Sequence, residues 1–334
     1  MATIKDVARL ANTSTATVSR YLNGERVREK NRLSIESAIE RLQYSIHPIA
    51  RGLKTNRSYM IGMIVPYLGD TFFSIIAENV QKFLLPHRYS LVVLSIGYNT
   101  DNLPDAVRFL IDKSVDGVLI SMLGGIHAGH LASLKEKRIP VVLLDGRLPD
   151  GDETAVMADN VQGAYAALAY LIENGHRDIA IINGEQKAQS GKERFKGYLR
   201  ALEDYGIEAD PDLIKFGDYL KESGYLLMRE LLLQPKRPTA VLVCNDSMTV
   251  GALQAINELK VRIFDELSYI TFDDSEITRI FNPQLTSVRQ PLEQISLSAG
   301  KALLEIIEKG EFRTQTIRLK TELIVRDSVR NIRS

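Results

Sequence analysis

The sequence predicts a small all-α head at the N-terminus and a larger α/β body made of two parallel-sheet lobes. The first sixty residues contain helical patterns and no strand-like run, whereas the rest alternates short β-branched runs with amphipathic stretches. Strands separated by helices are typical of parallel sheets with right-handed crossovers. The body contains too many such runs for one compact open sheet, so we expect two lobes.

The strands and helices of the body follow from this alternation. The candidate strands are 60–66, 90–96, 117–122, 140–145, 178–184, 239–246 and 267–274. The candidate helices are 73–86, 101–113, 129–138, 160–175, 190–206, 221–234, 246–259 and 291–309.

The head is predicted to contain three short helices separated by tight turns. Residues 4–11 form the first, a break follows at Asn12-Thr13, and Ser14 can cap a second helix, "TATVSRYL", which Asn23-Gly24 ends. Residues 31–44 form the third, with an expected inward face of Leu33, Ile35, Ile39 and Leu42. Val18 and Leu22 would pack the second helix on the first. Three short basic helices in this order are typical of a helix-turn-helix domain.

Charge divides the chain in the same way. The whole chain has 42 basic and 42 acidic side chains, but residues 1–60 hold eleven Lys and Arg against five Asp and Glu. A basic head on an acidic body favours nucleic-acid binding, with an ordinary solvated basic surface as the alternative.

Composition argues against several other classes. No apolar run approaches the ~20 residues of a membrane helix, and the N-terminus lacks a signal-peptide pattern, so we expect a cytoplasmic protein. The single cysteine, Cys244, excludes an internal disulfide framework. Five scattered His residues give neither a metal spacing nor a triad, and the segment "GEQKAQSGKE" lacks phosphate-loop spacing. We therefore expect no enzyme, no metal and no cofactor.

The head sequence "TIKDVARLANTSTATVSRYLNG" closely resembles that of the lactose/galactose repressor (LacI/GalR) family of bacterial transcription regulators. Further similar segments follow in family order: "HPIARGLKTNRSYMIGMIVP", "DTFFSIIAENV", "ERFKGYLRAL", "CNDSMTVGAL", "TFDDSEITRIFNPQLTSVRQP" and "LIVRDS". The chain departs from the family pattern at Asn12-Thr13 in the turn, at Tyr21, and at Ile46-His47 before the hinge.

The resemblance implies a helix-turn-helix domain (1–46), a hinge helix and linker (47–58), and an effector-binding and dimerisation domain (59–334). That last domain is expected to resemble periplasmic binding proteins, with lobe 1 at about 59–160 plus 289–318 and lobe 2 at about 161–288 plus 319–330.

The same resemblance assigns roles in DNA binding. The second helix would lie in the major groove, with Thr15, Ala16 and Arg20 reading bases and Arg20 suited to guanine. An alternative for Arg20 is a phosphate contact without base reading. Leu53 would wedge into the minor groove. The DNA-contacting residues implied are Thr3, Ser14, Thr15, Ala16, Thr17, Ser19, Arg20, Asn23, Ala50, Arg51, Leu53 and Lys54.

In the body, the resemblance implies a small carbohydrate effector between the lobes. The implied effector-binding residues are Phe72, Phe73, Asp145, Lys192, Arg194, Tyr219, Asn245, Asp246 and Asp273. Structural alternatives are one core phenylalanine, an Arg194 ion pair with Asp273 or Asp274, and Asp246 as a helix cap. Lys187, Lys192 and Arg194 hint at an acidic or phosphorylated sugar.

Together these features predict a bacterial, nucleoid-associated homodimer that represses carbohydrate-utilisation genes from a pseudo-palindromic DNA operator. The effector would alter operator affinity, as an inducer or as a corepressor. The rival hypothesis is a sugar-binding module without a DNA function.

Overall fold

The computed structural model describes residues 2–22, 25–44, 57–122, 124–149, 151–310 and 314–333. It divides into two compact units, Met1–Ser58 and Tyr59–Ser334. Each unit is considered by itself below.

The head contains the three expected helices, α1 (Ile4–Leu10), α2 (Thr15–Leu22) and α3 (Glu29–Leu42). Its core consists of Val7, Ala8, Ala11, Val18, Ile35 and Ala38, all of them buried. The expectation that Leu33 faces inward is wrong, because its side chain is 54% exposed. The buried stripe of α3 runs through Ile35, Ala38, Ile39 and Leu42, and Leu33 lies about 200° around the helix from Ile35.

The turn between α1 and α2 explains one departure from the family pattern. Asn12 adopts a left-handed conformation with φ of 46°, a conformation that favours glycine. Asparagine is among the few other residues that visit this region at low cost. Asn12 can therefore end α1 in place of the usual glycine.

A second departure, Tyr21, connects α2 to α3. The Tyr21 hydroxyl donates a 2.9 Å hydrogen bond to Glu36, whose same oxygen accepts a 2.7 Å bond from Arg32. Arg32 also bonds Glu29. Because Glu36 and Arg32 both belong to α3, this network fixes the orientation of α2 on the head core.

The body is built on two six-stranded sheets. Sheet 1 has the order β11-β5-β4-β3-β1-β2, with β1 at Met60–Val65, β2 at Ser90–Ser95, β3 at Gly117–Ser121, β4 at Val141–Leu144, β5 at Thr154–Ala158 and β11 at Thr316–Leu319. Sheet 2 has the order β12-β10-β9-β8-β6-β7, with β6 at Ile179–Asn183, β7 at Ile214–Phe216, β8 at Ala240–Val243, β9 at Ser268–Phe272, β10 at Thr286–Arg289 and β12 at Glu322–Ile324. Every pairing is parallel except that of β10 with β12.

Helices cover both sheets. They are α4 (Thr71–Leu84), α5 (Leu103–Asp112), α6 (Ala132–Glu136), α7 (Asn160–Glu173), α8 (Gln189–Asp204), α9 (Lys221–Leu233), α10 (Asp246–Glu258), α11 (Glu276–Ile280) and α12 (Leu292–Lys309). Because α12 packs on α4 and on sheet 1, the chain passes between the sheets three times: before α7, before α12, and between β11 and β12. The predicted architecture of a helical head and two parallel-sheet lobes is confirmed.

Five strands escaped prediction, namely β5, β7, β10, β11 and β12. Four lack a strong apolar run of their own: β7 and β12 have three residues each, β11 is a half-exposed edge strand, and β10 reads Thr-Ser-Val-Arg. The two hydroxyl side chains of β10 can be buried because both are hydrogen-bonded. Ser287 donates to Asp274 and accepts from Arg326, and Thr286 accepts from the Arg326 amide.

The Tyr21 network gives a stability prediction. Tyr21→Phe removes the hydroxyl and leaves Glu36 with one partner fewer, so we expect the head to lose about 1 kcal/mol of stability. Thermal or chemical unfolding of the head, followed by a probe placed in α2, measures this loss. The matched control is Tyr44→Phe, which removes the hydroxyl of another partly buried tyrosine of the same core. Equal effects of the two changes would contradict a specific role for the Tyr21 hydroxyl.

Candidate functional site

The first candidate site is the outer face of α2. Ser14 caps this helix, because its Oγ accepts a 3.1 Å hydrogen bond from the Thr17 amide and lies 2.9 Å from the Thr17 hydroxyl. Ser14, Thr15, Ala16 and Arg20 are exposed, and Thr17 and Ser19 are partly exposed. The face therefore offers hydroxyls, a methyl group and one guanidinium, all of them able to reach a nucleic-acid groove.

Arg20 is the cation of this face. Within residues 2–22 and 25–44 the recorded ion pairs involve Arg9 and Arg32, and none involves Arg20. Its guanidinium thus keeps its donors for a ligand outside the head, and a planar donor fork suits guanine edges and phosphates.

Thr3 has a structural task. Its hydroxyl and amide both bond Asp6, and its Oγ1 accepts from the Asp6 amide, which forms a capping box on α1. Of the other predicted DNA contacts, Asn23, Ala50, Arg51, Leu53 and Lys54 lie outside the described residues.

The second candidate site is the cleft between the two lobes, at the carboxyl ends of the parallel strands. Its empty space, which includes part of the open mouth, amounts to about 560 Å³. The side chains that line it follow one strand after another: Pro66, Asp70, Phe72, Phe73, Tyr98, Ser121, Met122 and Asp145 from lobe 1, and Glu185, Ala188, Ser190, Arg194, Tyr219, Asn245, Asp273 and Gln290 from the lobe 2 side. Ligands of open parallel sheets bind at this end of the strands.

Arg194 forms the floor of the cleft. It is only 3% exposed, and it donates hydrogen bonds to the Asn160 side chain and to the Cys244 carbonyl. Its guanidinium stacks 3.9 Å above the Phe272 ring. No hydrogen bond from Arg194 to Asp273 or Asp274 is recorded in the described residues, so the direct ion pair considered as an alternative is not seen.

Asp274 has a separate role. Its carboxylate is held by Arg279, Arg289 and Arg326 and by two hydroxyls. This cluster lies at the end of β10, where the chain leaves lobe 2, and it is structural.

The Tyr219 ring packs directly on the backbone of Gly184. A Cβ atom at Gly184 would lie 1.9 Å from the Tyr219 ring, so only glycine allows the ring to cover this backbone. The Tyr219 hydroxyl is 3.3 Å from Ser190, and its carbonyl accepts a 3.0 Å bond from Asn245. Across the cleft its ring is stacked on that of Tyr98, with 6.5 Å between centroids. An aromatic pair from opposite lobes thus faces the cavity.

Three lining residues have left-handed backbone conformations: Asp145 (φ 57°), Tyr219 (φ 67°) and Asp273 (φ 77°). Non-glycine residues rarely adopt such angles, and those that do cluster at functional sites. The conformations turn these side chains from the strand ends toward the cleft.

Three carboxyl groups, one buried (Asp70) and two partly buried (Asp145 and Asp273), dominate the electrostatics of the cleft. Burial, together with the nearby Asp273 and Asp246, raises the pKa of Asp70 to about 7, although the Phe72 amide and Arg194 oppose the rise. Burial raises the pKa of Asp145 to about 6, against the effect of Arg194. Burial also raises the pKa of Asp273. Near neutral pH Asp70 therefore retains part of a proton that an exposed carboxylate would release.

Two sets of contacts join the lobes beside the cleft. At one side, the Thr71 hydroxyl of α4 donates a 2.7 Å bond to Asp246 of α10, and Ser275 bonds the same carboxylate. At the other, Arg318 of β11 pairs with Glu193 of α8, and Gln189 accepts from the Arg147 amide. Both α4 and α10 begin at the Thr71–Asp246 contact, so the partial positive ends of two helices meet one carboxylate.

The structure groups most, but not all, of the predicted effector residues. Phe72, Phe73, Asp145, Arg194, Tyr219, Asn245 and Asp273 line the cleft. Both phenylalanines line it, in an edge-to-face pair 5.0 Å apart, so neither serves only the core.

Two predicted residues fall elsewhere. Lys192 is exposed on α8 and does not line the cleft, because the buried face of that helix passes through Ser190, Gly191 and Arg194. Asp246 joins the lobes, and it is Asn245 that caps α10 through the Met248 amide.

Sequence reasoning missed Asp70, Tyr98, Ser190 and Gln290. Asp70 carried a readable signal, since an aspartate directly before a helix commonly caps it, and Asp70 does accept from the Phe72 amide. Tyr98 comes shortly after β2 and Gln290 directly after β10, and only the fold decides that both positions reach the cleft.

Comparison with known proteins identifies the family. Residues 3–46 match the model of the bacterial regulatory proteins of the lacI family, and residues 168–329 match that of a periplasmic binding protein-like domain. The HTH-type transcriptional repressor PurR of Histophilus somni is 36% identical over 336 residues, which cover 99% of this chain and 100% of that repressor. This chain belongs to the LacI family. It is a DNA-binding transcriptional repressor with a ligand-binding domain similar to periplasmic binding proteins.

Solved LacI-family structures agree with this assignment. A complex of the transcriptional regulator CelR with cellobiose is 30% identical, with a TM-score of 0.74, and covers 98% of this chain and 100% of its own. The lac repressor dimer bound to operator and the anti-inducer ONPF is 25% identical, with a TM-score of 0.85, over 98% and 99% of the two chains. In the described residues, no helix is long and apolar enough to span a membrane, and no group of three or more His, Cys, Asp or Glu side chains could hold a metal ion.

The buried Asp70 gives a pH prediction. Its pKa is about 7 in the folded protein, against 3.8 for the free side chain, so folding takes up a proton between these values and stability falls as the pH rises through this window. Asp70→Asn keeps an oxygen for the Phe72 amide but removes the charge. Relative to the unchanged protein, we expect the variant to gain about 1–3 kcal/mol of unfolding free energy between about pH 5 and about pH 8.

Urea denaturation at these two pH values measures this gain, and Asp105→Asn is the control. Asp105 lies on α5 of the same lobe, and its side chain is 79% exposed. The groups that face Asp70 are Asp273, Asp246, Arg194 and the Phe72 amide. If Asp70→Asn and Asp105→Asn follow the same pH profile, the raised pKa of Asp70 is refuted.

Proposed function

We propose that this LacI-family repressor binds a pseudo-palindromic operator as a homodimer, and that a small sugar-type ligand in the cleft controls its affinity for the operator. The observation that carries the proposal is the pairing of two sites in one chain. One is an exposed helix face with an arginine that has no ion-pair partner in the described residues, and the other is a cleft between two lobes.

The face of α2 supports operator reading. Thr15 and Ala16 are small, so the helix backbone can approach the base edges closely, and their methyl groups can contact thymine. Ser14 and Thr17 lie at the helix N-terminus, where hydroxyls and backbone amides bind phosphate. Arg20 is the side chain suited to guanine. Operator specificity therefore depends chiefly on Arg20 and on the shape of the DNA.

Ligand control is supported by the contacts that join the lobes. The Thr71–Asp246 and Glu193–Arg318 bonds fix the separation of the two lobes. A ligand that contacts both cleft walls would favour one lobe arrangement, and such coupling between two sites typically amounts to ~1–3 kcal/mol. The proposed route to the DNA is the segment 47–58, which lies largely outside the described residues. The proposed division is thus 1–46, 47–58 and 59–334.

The chemistry of the cleft narrows the ligand. Aromatic rings beside carboxyl and amide groups suit a sugar, whose C–H faces stack and whose hydroxyls donate. The relative CelR was solved with cellobiose. The suggestion of an acidic or phosphorylated sugar is not supported, because Lys187 and Lys192 lie outside the lining while four carboxyl groups lie within it. Control of carbohydrate-utilisation genes stays a prediction.

A homodimer is supported by exposed apolar side chains on the body, among them Leu226, Leu233, Val250 and Ile280. The solved lac repressor is itself a dimer on its operator. Two heads related by two-fold symmetry would read two half-sites.

The test is selection of DNA fragments from a random-sequence library, followed by sequencing, with the full chain and with Arg20→Ala. We expect the unchanged chain to select a pseudo-palindrome. The variant should relax the choice at one base pair in each half-site, at a cost of about 1–3 kcal/mol against the best site. Fluorescence anisotropy on the selected site and on single-base variants measures this cost.

The charge-matched control is Arg41→Ala, which removes an exposed cation from the end of α3. It is expected to weaken binding evenly across sequences, with no change in the selected pattern. A selection without two-fold symmetry, or a pattern unchanged by Arg20→Ala, would overturn the proposed reading.

A further inference from the structure

We propose that the effector is a hydroxylated amine of the amino-sugar class, whose protonated nitrogen faces the Asp70–Asp273 side of the cleft. This inference rests on the proposed function, since it assigns the ligand class of the same cleft. Four observations carry it: the charge of the lining, the unpaired acceptors, the aromatic walls and the raised pKa values.

The lining has an excess of acid. Asp70, Asp145, Glu185 and Asp273 contribute four carboxyl groups, against the single guanidinium of Arg194. That guanidinium is already bonded to Asn160 and to the Cys244 carbonyl and stacked on Phe272. An anionic ligand would face four carboxyl groups against one guanidinium, whereas a cationic ligand would compensate the excess of carboxyl charge.

The unpaired polar atoms point to the same class. Asp145 Oδ1 and Gln290 Oε1 are buried and have no hydrogen-bond partner in the described residues, and both side chains line the cleft. Gln290 is 5% exposed, and its amide nitrogen is used in a 2.6 Å bond to Asp273. Both unpaired atoms are acceptors. A buried acceptor without a donor is costly, so the ligand must supply donors, and an ammonium group has three donors and no acceptor.

The aromatic side chains of the cleft walls can contact the ring of a ligand, and the Tyr98 hydroxyl can bond one of its hydroxyl groups. Tyr98 and Tyr219 face each other from opposite lobes, and Phe72 and Phe73 lie beside them. The Tyr98 hydroxyl is buried without a partner and can bond a ligand hydroxyl. Ring faces accommodate the C–H surface of a pyranose and also attract cations. A compact ring that carries hydroxyls and one ammonium group offers donors to these acceptors and a C–H face to these rings.

The protonation of the empty cleft is consistent with this ligand. Burial and mutual repulsion raise the pKa of Asp70 and hold a proton on it near neutral pH. A ligand ammonium group can take the place of that proton, so the negative charge of the carboxylate is compensated in the complex.

The test is titration calorimetry of the full-length chain in phosphate buffer, which contains no competing amine. Each cationic probe is paired with a neutral one of the same stereochemistry: glucosamine with glucose, galactosamine with galactose, mannosamine with mannose. N-acetylglucosamine keeps the nitrogen and loses its charge. Glucuronate and glucose 6-phosphate are the anionic probes. We expect at least one amine to bind about tenfold tighter than its neutral partner, and tighter than either anion.

Variants then locate the nitrogen. Asp70→Asn and Asp273→Asn should each reduce the ratio of amine affinity to neutral-partner affinity by about fivefold or more. The control Asp105→Asn should change neither affinity. Circular dichroism and unfolding curves establish that each variant is folded.

Three results overturn the inference: tighter binding of a neutral or anionic probe than of every amine, no binding by any amine at millimolar concentration, or an amine preference that survives both substitutions. None of these three results changes the outcome of the operator selection, which is measured separately. A chain that selects its operator but ignores amines therefore rejects the ligand class and leaves the repressor assignment intact.

Discussion

The body is organised around the burial of one charged side chain, Arg194. Taking a guanidinium out of water is costly unless every donor is matched and a counter-charge is near. Asn160, the Cys244 carbonyl and the Phe272 ring meet it directly, and Asp145 and Asp273 supply negative potential. These groups come from α7, from the ends of β8 and β9 and from lobe 1. The position of the cleft floor is therefore fixed by the requirement to satisfy Arg194, and the acids gathered around it give the cleft its charge.

That arrangement places more carboxyl groups than cations in the lining of the cleft. Arg194 neutralises only part of the carboxyl charge, and burial raises the pKa values of Asp70, Asp145 and Asp273. A ligand that brings donors or positive charge binds to groups that the fold already holds in place. Its binding free energy is therefore not reduced by the entropy of ordering those groups. Asp145, Tyr219 and Asp273 hold left-handed backbone angles at this site, as expected where side chains are aimed by the surrounding structure.

The head, in contrast, buries little apolar surface, and its function depends on the orientation of α2. Six small or medium apolar side chains form its core. With so little apolar area, a polar network contributes to the placement of α2, and Tyr21, Glu36 and Arg32 supply it. The residues on the outer face can then stay small, which allows close approach to a groove and leaves recognition to Arg20.

The sequence alone predicted the three helices of the head, eight of the nine α-helices described in the body, the seven strong strands and the family; it missed the short helix α11. Local periodicity and the head motif carry this information. Through the family resemblance it also named seven of the residues that line the cleft. Tertiary structure decided the rest. Lys192 and Arg194 are two residues apart on one helix, and only packing shows that Arg194 is buried beneath the cleft while Lys192 faces solvent. Asp70 became part of the site, and β10 and β12 became strands, through partners more than thirty residues away or across the cleft. Such long-range contacts set burial and charge, and no local pattern encodes them.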